Sequence, residues 1–187
     1  MDLRIATCAP PSATPRSGMN KVLAAQRGNL RAIRKASLRE RFESRAWCWI
    51  VSQGLVPFAW PGRPRIGPAA LELTGRRSGR RRSVAVTWVE VDGNRYLVSM
   101  LGEGSDWVHN ARAADGAAAL RRGKRRRVKL VELPVEERPR ILQAWLKRTG
   151  VSSIPRKYVG LRPDSPFEEF ERIAPSWPVF QIVGRRR

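Results

Sequence analysis

The stretch Leu71–Val91, LELTGRRSGRRRSVAVTWVEV, constrains this chain more than any other. Its apolar residues come in two short groups, Leu71 and Leu73, then Val84, Val86, Trp88 and Val89. β-Branched and aromatic side chains in such short runs suit strands. Between them lies Gly75-Arg76-Arg77-Ser78-Gly79-Arg80-Arg81-Arg82. Glycine adopts backbone conformations closed to other residues, so two glycines around a polar run mark a turn. The expectation is strand, basic turn, strand. Exposed backbone N–H groups in such a turn make an anion-receptive nest. Guanidinium groups add two-pronged capture of phosphate or carboxylate. Five arginines and one serine in eight residues make an anion clamp. The plainer alternative is a charged hairpin whose arginines are only solvated.

The sequel adds to the first reading. A strand over Arg95–Leu101 follows the turn Asp92-Gly93-Asn94. Gly102-Glu103-Gly104-Ser105 then leads into a helix over Asp106–Ala114, capped by Ser105 and stopped at Asp115-Gly116. A glycine loop at a helix N-terminus is a second anion-receptive element, because first-turn N–H groups lack intrahelical partners.

Together, LTGRRSGRRRSV and, about thirty residues on, GSDWVHNARAADG resemble the F420-dependent (deazaflavin-dependent) nitroreductase-like oxidoreductases. That family carries TTGR[KR]SGxxRxVPL, a hairpin, and a W-x-x-N helix. The resemblance covers roughly Ala69 to Leu133, and the C-terminal third loosely. It implies an α+β fold: a split β-barrel, FMN-binding-like, of about six antiparallel strands with flanking helices. It implies coenzyme F420 as hydride donor, with FMN as the alternative. Residue by residue, Arg76, Arg77 and Ser78 would grip the cofactor's phosphate and tail, and Arg82 would add a charge contact. Ser83, Val84, Ala85, Val86 and Thr87 would line the deazaflavin. Ser99, Met100, Leu101 and Gly102 would close the other side, with Asp106, Trp107, Val108, His109 and Asn110. Core packing and ligand contact are both open for Trp107. For Asn110 the choice is a structural hydrogen bond or ligand contact.

The pattern also departs from the family. Arg77 stands where Lys is frequent, and Ala85 where Pro is common. Phe167 and Phe170 occupy positions of tyrosines that serve the nitroimidazole-reducing members. Trp47, Trp49, Thr87, Phe167 and Phe170 would form the substrate pocket, with Tyr158 or solvent as proton donor.

Composition bounds the rest. The chain has 187 residues, 42% hydrophobic, with 37 basic against 16 acidic residues and a net charge of +21. That length suits one domain with one real core. Such a field attracts polyanions: nucleic acid, anionic lipid, or a phosphorylated cofactor. Few aromatics interleave with the arginines, and no helix-turn-helix or RNA-binding signature appears, which speaks against specific nucleic-acid binding. His109 is the only histidine, and Cys8 and Cys48 are the only cysteines, so no metal spacing is visible. Neither P-loop nor Rossmann glycine spacing occurs. A chain with so little acid–base or metal equipment leaves hard chemistry to a cofactor. The expected function is hydride transfer between reduced deazaflavin and an electron-poor quinone, enone or nitro compound. A non-catalytic F420 or flavin carrier is the alternative, and a basic nucleic-acid binder the remote one.

Residues 1–20 read as a disordered segment, with Met19 an alternative start, and 21–187 as a single domain. No apolar run nears the ~20 residues of a membrane helix, and no signal-peptide pattern is present. The expected compartment is the cytoplasm. Asn29–Ser52 reads as a basic amphipathic helix that packs on the barrel or touches an anionic membrane, and Cys48 within it as a buried thiol. Downstream, strands Ala117–Arg121 and Arg127–Leu133 flank Arg122-Gly123-Lys124. A helix over Pro134–Arg148, a capping box at Ser165-Pro166-Phe167-Glu168 opening a helix to about Ile173, and a strand over Pro178–Val183 complete the chain.

Overall fold

The computed structural model describes Cys48, Trp49, Gln53 and residues 66–99, 101–149 and 160–184. The expected disordered segment, most of the first helix, Trp47, Met100 and Tyr158 lie outside the described residues.

Six strands form: β1 (Ile66–Thr74), β2 (Arg81–Val91), β3 (Asn94–Val98), β4 (Ala117–Arg122), β5 (Lys124–Glu132) and β6 (Val179–Gly184). They close into an antiparallel barrel in the order β1-β2-β3-β6-β5-β4. Among the described residues three α-helices of a turn or more flank it: α1 (Asp106–Ala113), α2 (Arg138–Thr149) and α3 (Phe167–Ile173).

Side-chain alternation divides the barrel into two packing regions. Leu71, Leu73, Trp88, Leu97, Leu130 and Phe180 point inward, and Val108 and Ala111 of α1 pack with them. Val89, Val91, Val98 and Val179 point outward and are covered by Ile141, Leu142, Trp145 and Leu146 of α2 and by Phe170 and Ile173 of α3. Burial of each large apolar side chain contributes roughly 1.5–3 kcal/mol, so this helix-covered face is a second core and not a veneer.

The α1–β4 junction shows why its turn is written Asp115-Gly116. Both residues have positive φ, 47° and 73°. A Cβ on Gly116 would stand 2.0 Å from the Leu130 carbonyl oxygen. That carbonyl neighbour is held in place because Leu130 N–H donates to the Gly116 oxygen at 2.8 Å.

Three local expectations are corrected. β3 ends at Val98 and does not run to Leu101. The chain turns there because Gly102 N–H donates to Ser99 O at 3.2 Å and the Ser99 hydroxyl donates to Gly102 O at 2.8 Å. Ser105 is the N-cap residue of α1, but its hydroxyl makes no capping bond; it lies 2.6 Å from Ser99 Oγ. Ser165 does not form a capping box, since Pro166 is the N-cap residue of α3 and Ser165 Oγ accepts from Arg162 N–H. Among the described residues no helix is long and apolar enough to cross a membrane.

Candidate cofactor site

The basic turn joins β1 to β2. Its two glycines have different duties. Gly79 has φ +63°, a conformation that L side chains rarely adopt. Gly75 is needed for room, because an added Cβ would meet Ser78 Oγ at 3.0 Å, Arg80 O at 3.2 Å and Arg82 Cγ at 3.3 Å. The turn closes on itself: Gly75 N–H donates to Arg80 O, and Ser78 and Gly79 N–H both donate to Gly75 O. Arg76 N–H goes to Asn110 Oδ1 at 3.1 Å. The expected backbone nest is therefore largely used up internally, and capture of an anion falls to the side chains.

Those side chains are not equivalent. Arg76 reaches across to α1, where its Nη1 donates to Asp106 Oδ1 at 3.1 Å and to Asn110 Oδ1 at 3.2 Å. Arg81 faces Glu72 at 3.7 Å. Arg77, Arg80 and Arg82 are exposed and make no ion pair with any described residue. Ser78 is exposed too, its Oγ accepting from Arg80 N–H at 3.4 Å.

β2 supplies the neighbouring wall. Its pairing with β3 begins at Trp88↔Leu97, so Arg81–Thr87 runs on without a β3 partner. Val84 and Val86 alternate inward, while Ser83, Ala85 and Thr87 face out. Ser83 Oγ lies 3.2 Å from Cys48 Sγ, and Cys48 is buried, as expected of that thiol. Trp107 is half-buried and packs on Phe180 with ring centroids 5.3 Å apart, and Val108 is wholly buried. Asn110 is 8% exposed, its carboxamide tied to the turn. Ser99 and Gly102 are buried, while Leu101 and His109 are half-buried and Asp106 is exposed.

The loop that follows β3 is pinned by a network that no sequence spacing announces. Arg112 of α1 binds Glu103 at 2.6 and 2.8 Å and Glu132 at 2.7 and 2.8 Å. Buried Arg138 binds Glu132 at 3.1 Å and the Leu133 carbonyl at 2.9 Å. The Arg112 hydrogen bonds hold the Glu103 carboxyl below the usual carboxylate range, burial opposing them. The same two carboxylates raise the Arg112 guanidinium still further above its ordinary value.

The expected substrate residues separate. Phe170 is wholly buried between α2, α3 and the barrel, whereas Phe167, one turn earlier, is 42% exposed. Trp49 is 60% exposed, and Thr87 is half-buried on the outer face of β2.

A closed six-stranded antiparallel barrel with flanking helices places the chain in the split-barrel class. The chain belongs to the F420H(2)-dependent quinone reductase family, whose model matches residues 45–152. No curated protein matches the sequence. Solved structures similar to it include Campylobacter jejuni ChuZ, at 14% identity and TM-score 0.43, over 63% of this chain and 47% of that one. The chain thus spans less than half the length of ChuZ. A structure described as F420-H2 dependent reductase FDR-A is similar at 21% identity and TM-score 0.41, over 62% of this chain and 92% of that one. The conserved hypothetical protein Rv2991 from Mycobacterium tuberculosis is similar at 21% identity and TM-score 0.39, over 64% and 73%.

Proposed function

We propose that this chain reduces a quinone with F420H2, holding the acidic part of the cofactor on Arg77, Arg80 and Arg82. The observation that carries this reading is the state of those three arginines. They are exposed and unpaired among the described residues, yet the turn beneath them is fixed by its own hydrogen bonds and by Asn110. Preset, unneutralised guanidiniums are what a phosphate- and carboxylate-bearing cofactor needs. The donor set fits that group.

When bound, reduced F420 supplies the hydride. The chain's own residues bind, orient and exclude water. Arg76 is a positioning residue in this reading, since its guanidinium is committed to α1. The segment Val84–Thr87, free of a β3 partner, would line the ring, with Ser78, Ser83, Ser99–Gly102 and Asp106–Asn110 bordering it. Thr87, Trp49 and Phe167 keep surface for an acceptor, whereas Phe170 serves the core. The proton follows from solvent or from Tyr158. A quinone is favoured over a nitro compound because both phenylalanines lack the hydroxyl that tyrosine would offer there.

The same reading takes residues 21–187 as one working unit that acts in the cytoplasm, with contact to an anionic membrane as an accompaniment for a lipid quinone. The test is oxidation of F420H2 followed by absorbance with a panel of menaquinone-like, enone and nitroaromatic acceptors. Turnover with quinones above the others is expected. Tight F420 binding with no turnover on any acceptor would leave a carrier.

A further inference from the structure

A groove lies on the β4 side of β1 and borders the basic turn, whose Gly79 and Arg81 form part of its wall. β1 and β4 pair only over Ala70–Glu72 and Ala119–Arg121. Beyond that point β1 runs on to the basic turn while β4 starts at Ala117, and the two strands part. The gap holds a cavity of about 720 Å³, within the ordinary range of small-molecule sites. Its floor is apolar: Leu73, the alanines Ala117–Ala119, Val128 and Val183. Ala117 and Ala119, on one face of β4, leave the space that longer side chains would fill.

Its rim is cationic. Arg81, Arg125, Arg127 and Lys129 line it against a single carboxylate, Glu72. Glu72 is 7% exposed and shared by two of them, at 2.7 Å from Arg125 and 3.7 Å from Arg81. Lys129 pairs with Asp115. Arg127 is exposed and has no ion-pair partner among the described residues. An apolar trough whose four rim cations face only Glu72 and Asp115, with Arg127 the guanidinium that has no ion-pair partner among the described residues, is complementary to a molecule with an apolar body and an acid group.

We propose that this groove is a second ligand site, separate from the cofactor's, for a small anionic amphiphile: a ring or chain body bearing one carboxylate, sulfonate or phosphate. Arg127 takes the acid group, and the β4 alanines with Val183 take the body. The groove shares Gly79 and Arg81 with the basic turn, but Arg127 and the β4 alanines lie outside the proposed cofactor residues, so the two readings can fail separately.

The probe is 8-anilinonaphthalene-1-sulfonate, with the uncharged N-phenyl-1-naphthylamine as its body without the acid. Both are titrated by fluorescence into the full chain. One sulfonate probe per chain is expected, with the uncharged analogue at least ~tenfold weaker. Arg127→Glu should weaken the sulfonate ~tenfold or more and leave the analogue unchanged. Ala117→Trp, at an exposed β4 position, should remove both by filling the trough. Arg77→Glu and saturating F420 should leave the probe in place whether or not F420 binds as proposed. Equal affinity of the two probes, indifference to both groove variants, or displacement by F420 would each overturn the assignment, the last by making the groove part of the cofactor site.

Discussion

Asn110 holds Arg76 twice with one oxygen, accepting from its backbone N–H at 3.1 Å and from its Nη1 at 3.2 Å. The contact joins the basic turn to α1 across 34 positions of sequence. It turns a flexible hairpin tip into a preset surface. Asn110→Leu removes the acceptor and keeps the size, leaving a part-buried N–H unpaired at a cost of about 1–3 kcal/mol. We expect a lower melting temperature and an F420 Kd raised ~tenfold. Asn110→Asp, which still accepts both bonds, should restore both quantities. An unchanged Kd in Asn110→Leu would mean that the turn needs no anchor.

Gly116→Ala tests the junction between α1 and β4. The new Cβ meets the Leu130 carbonyl at 2.0 Å in a backbone conformation unsuited to a side chain. Backbone on both sides must shift, so a loss of more than about 2 kcal/mol is expected from the positive φ and the clash together. The denaturation midpoint in urea reads this directly. Gly79→Ala, where no atom lies within 4 Å, should lose only the smaller part due to φ +63°.

The Glu103–Arg112 pair gives a pH signature. Arg112 lowers the Glu103 pKa in the folded chain. Its stabilisation is therefore fully present above the unfolded carboxylate range and fades as pH falls through the folded value. Glu103→Gln should flatten the acid limb of a stability-against-pH curve and leave the neutral-to-alkaline limb nearly parallel to the parent. Glu103 is 44% exposed, so solvent screening keeps the effect modest. An acid limb identical in both proteins would rule out this pair as a contributor.

The barrel was legible in the sequence because its signals are local. Alternation in Val84–Val89, the Asp92-Gly93-Asn94 turn and the Gly116 stop each act within a few residues. What escaped was decided by partners distant in sequence. Nothing near Arg76 says that it will turn to Asp106 and Asn110, and nothing near Glu132 says that it will join Arg112 to Arg138. β3 stopped short for a nearer reason, because Ser99 and Gly102 close a turn on each other through backbone and hydroxyl. The backbone nest was overestimated for a related reason: glycines predict which N–H groups can be exposed, not which will find a carbonyl.

The central claim is that the arginines of the turn hold the acidic part of F420. The most direct measurement compares binding of F420 with that of its ring portion alone, 5-deazariboflavin without phosphate or tail, in the parent and in Arg77→Glu. The parent should prefer F420 by ~tenfold or more, and Arg77→Glu should erase most of that preference while leaving the ring fragment's affinity unchanged. Equal loss of both ligands, or a preference that survives the charge reversal, would contradict the account.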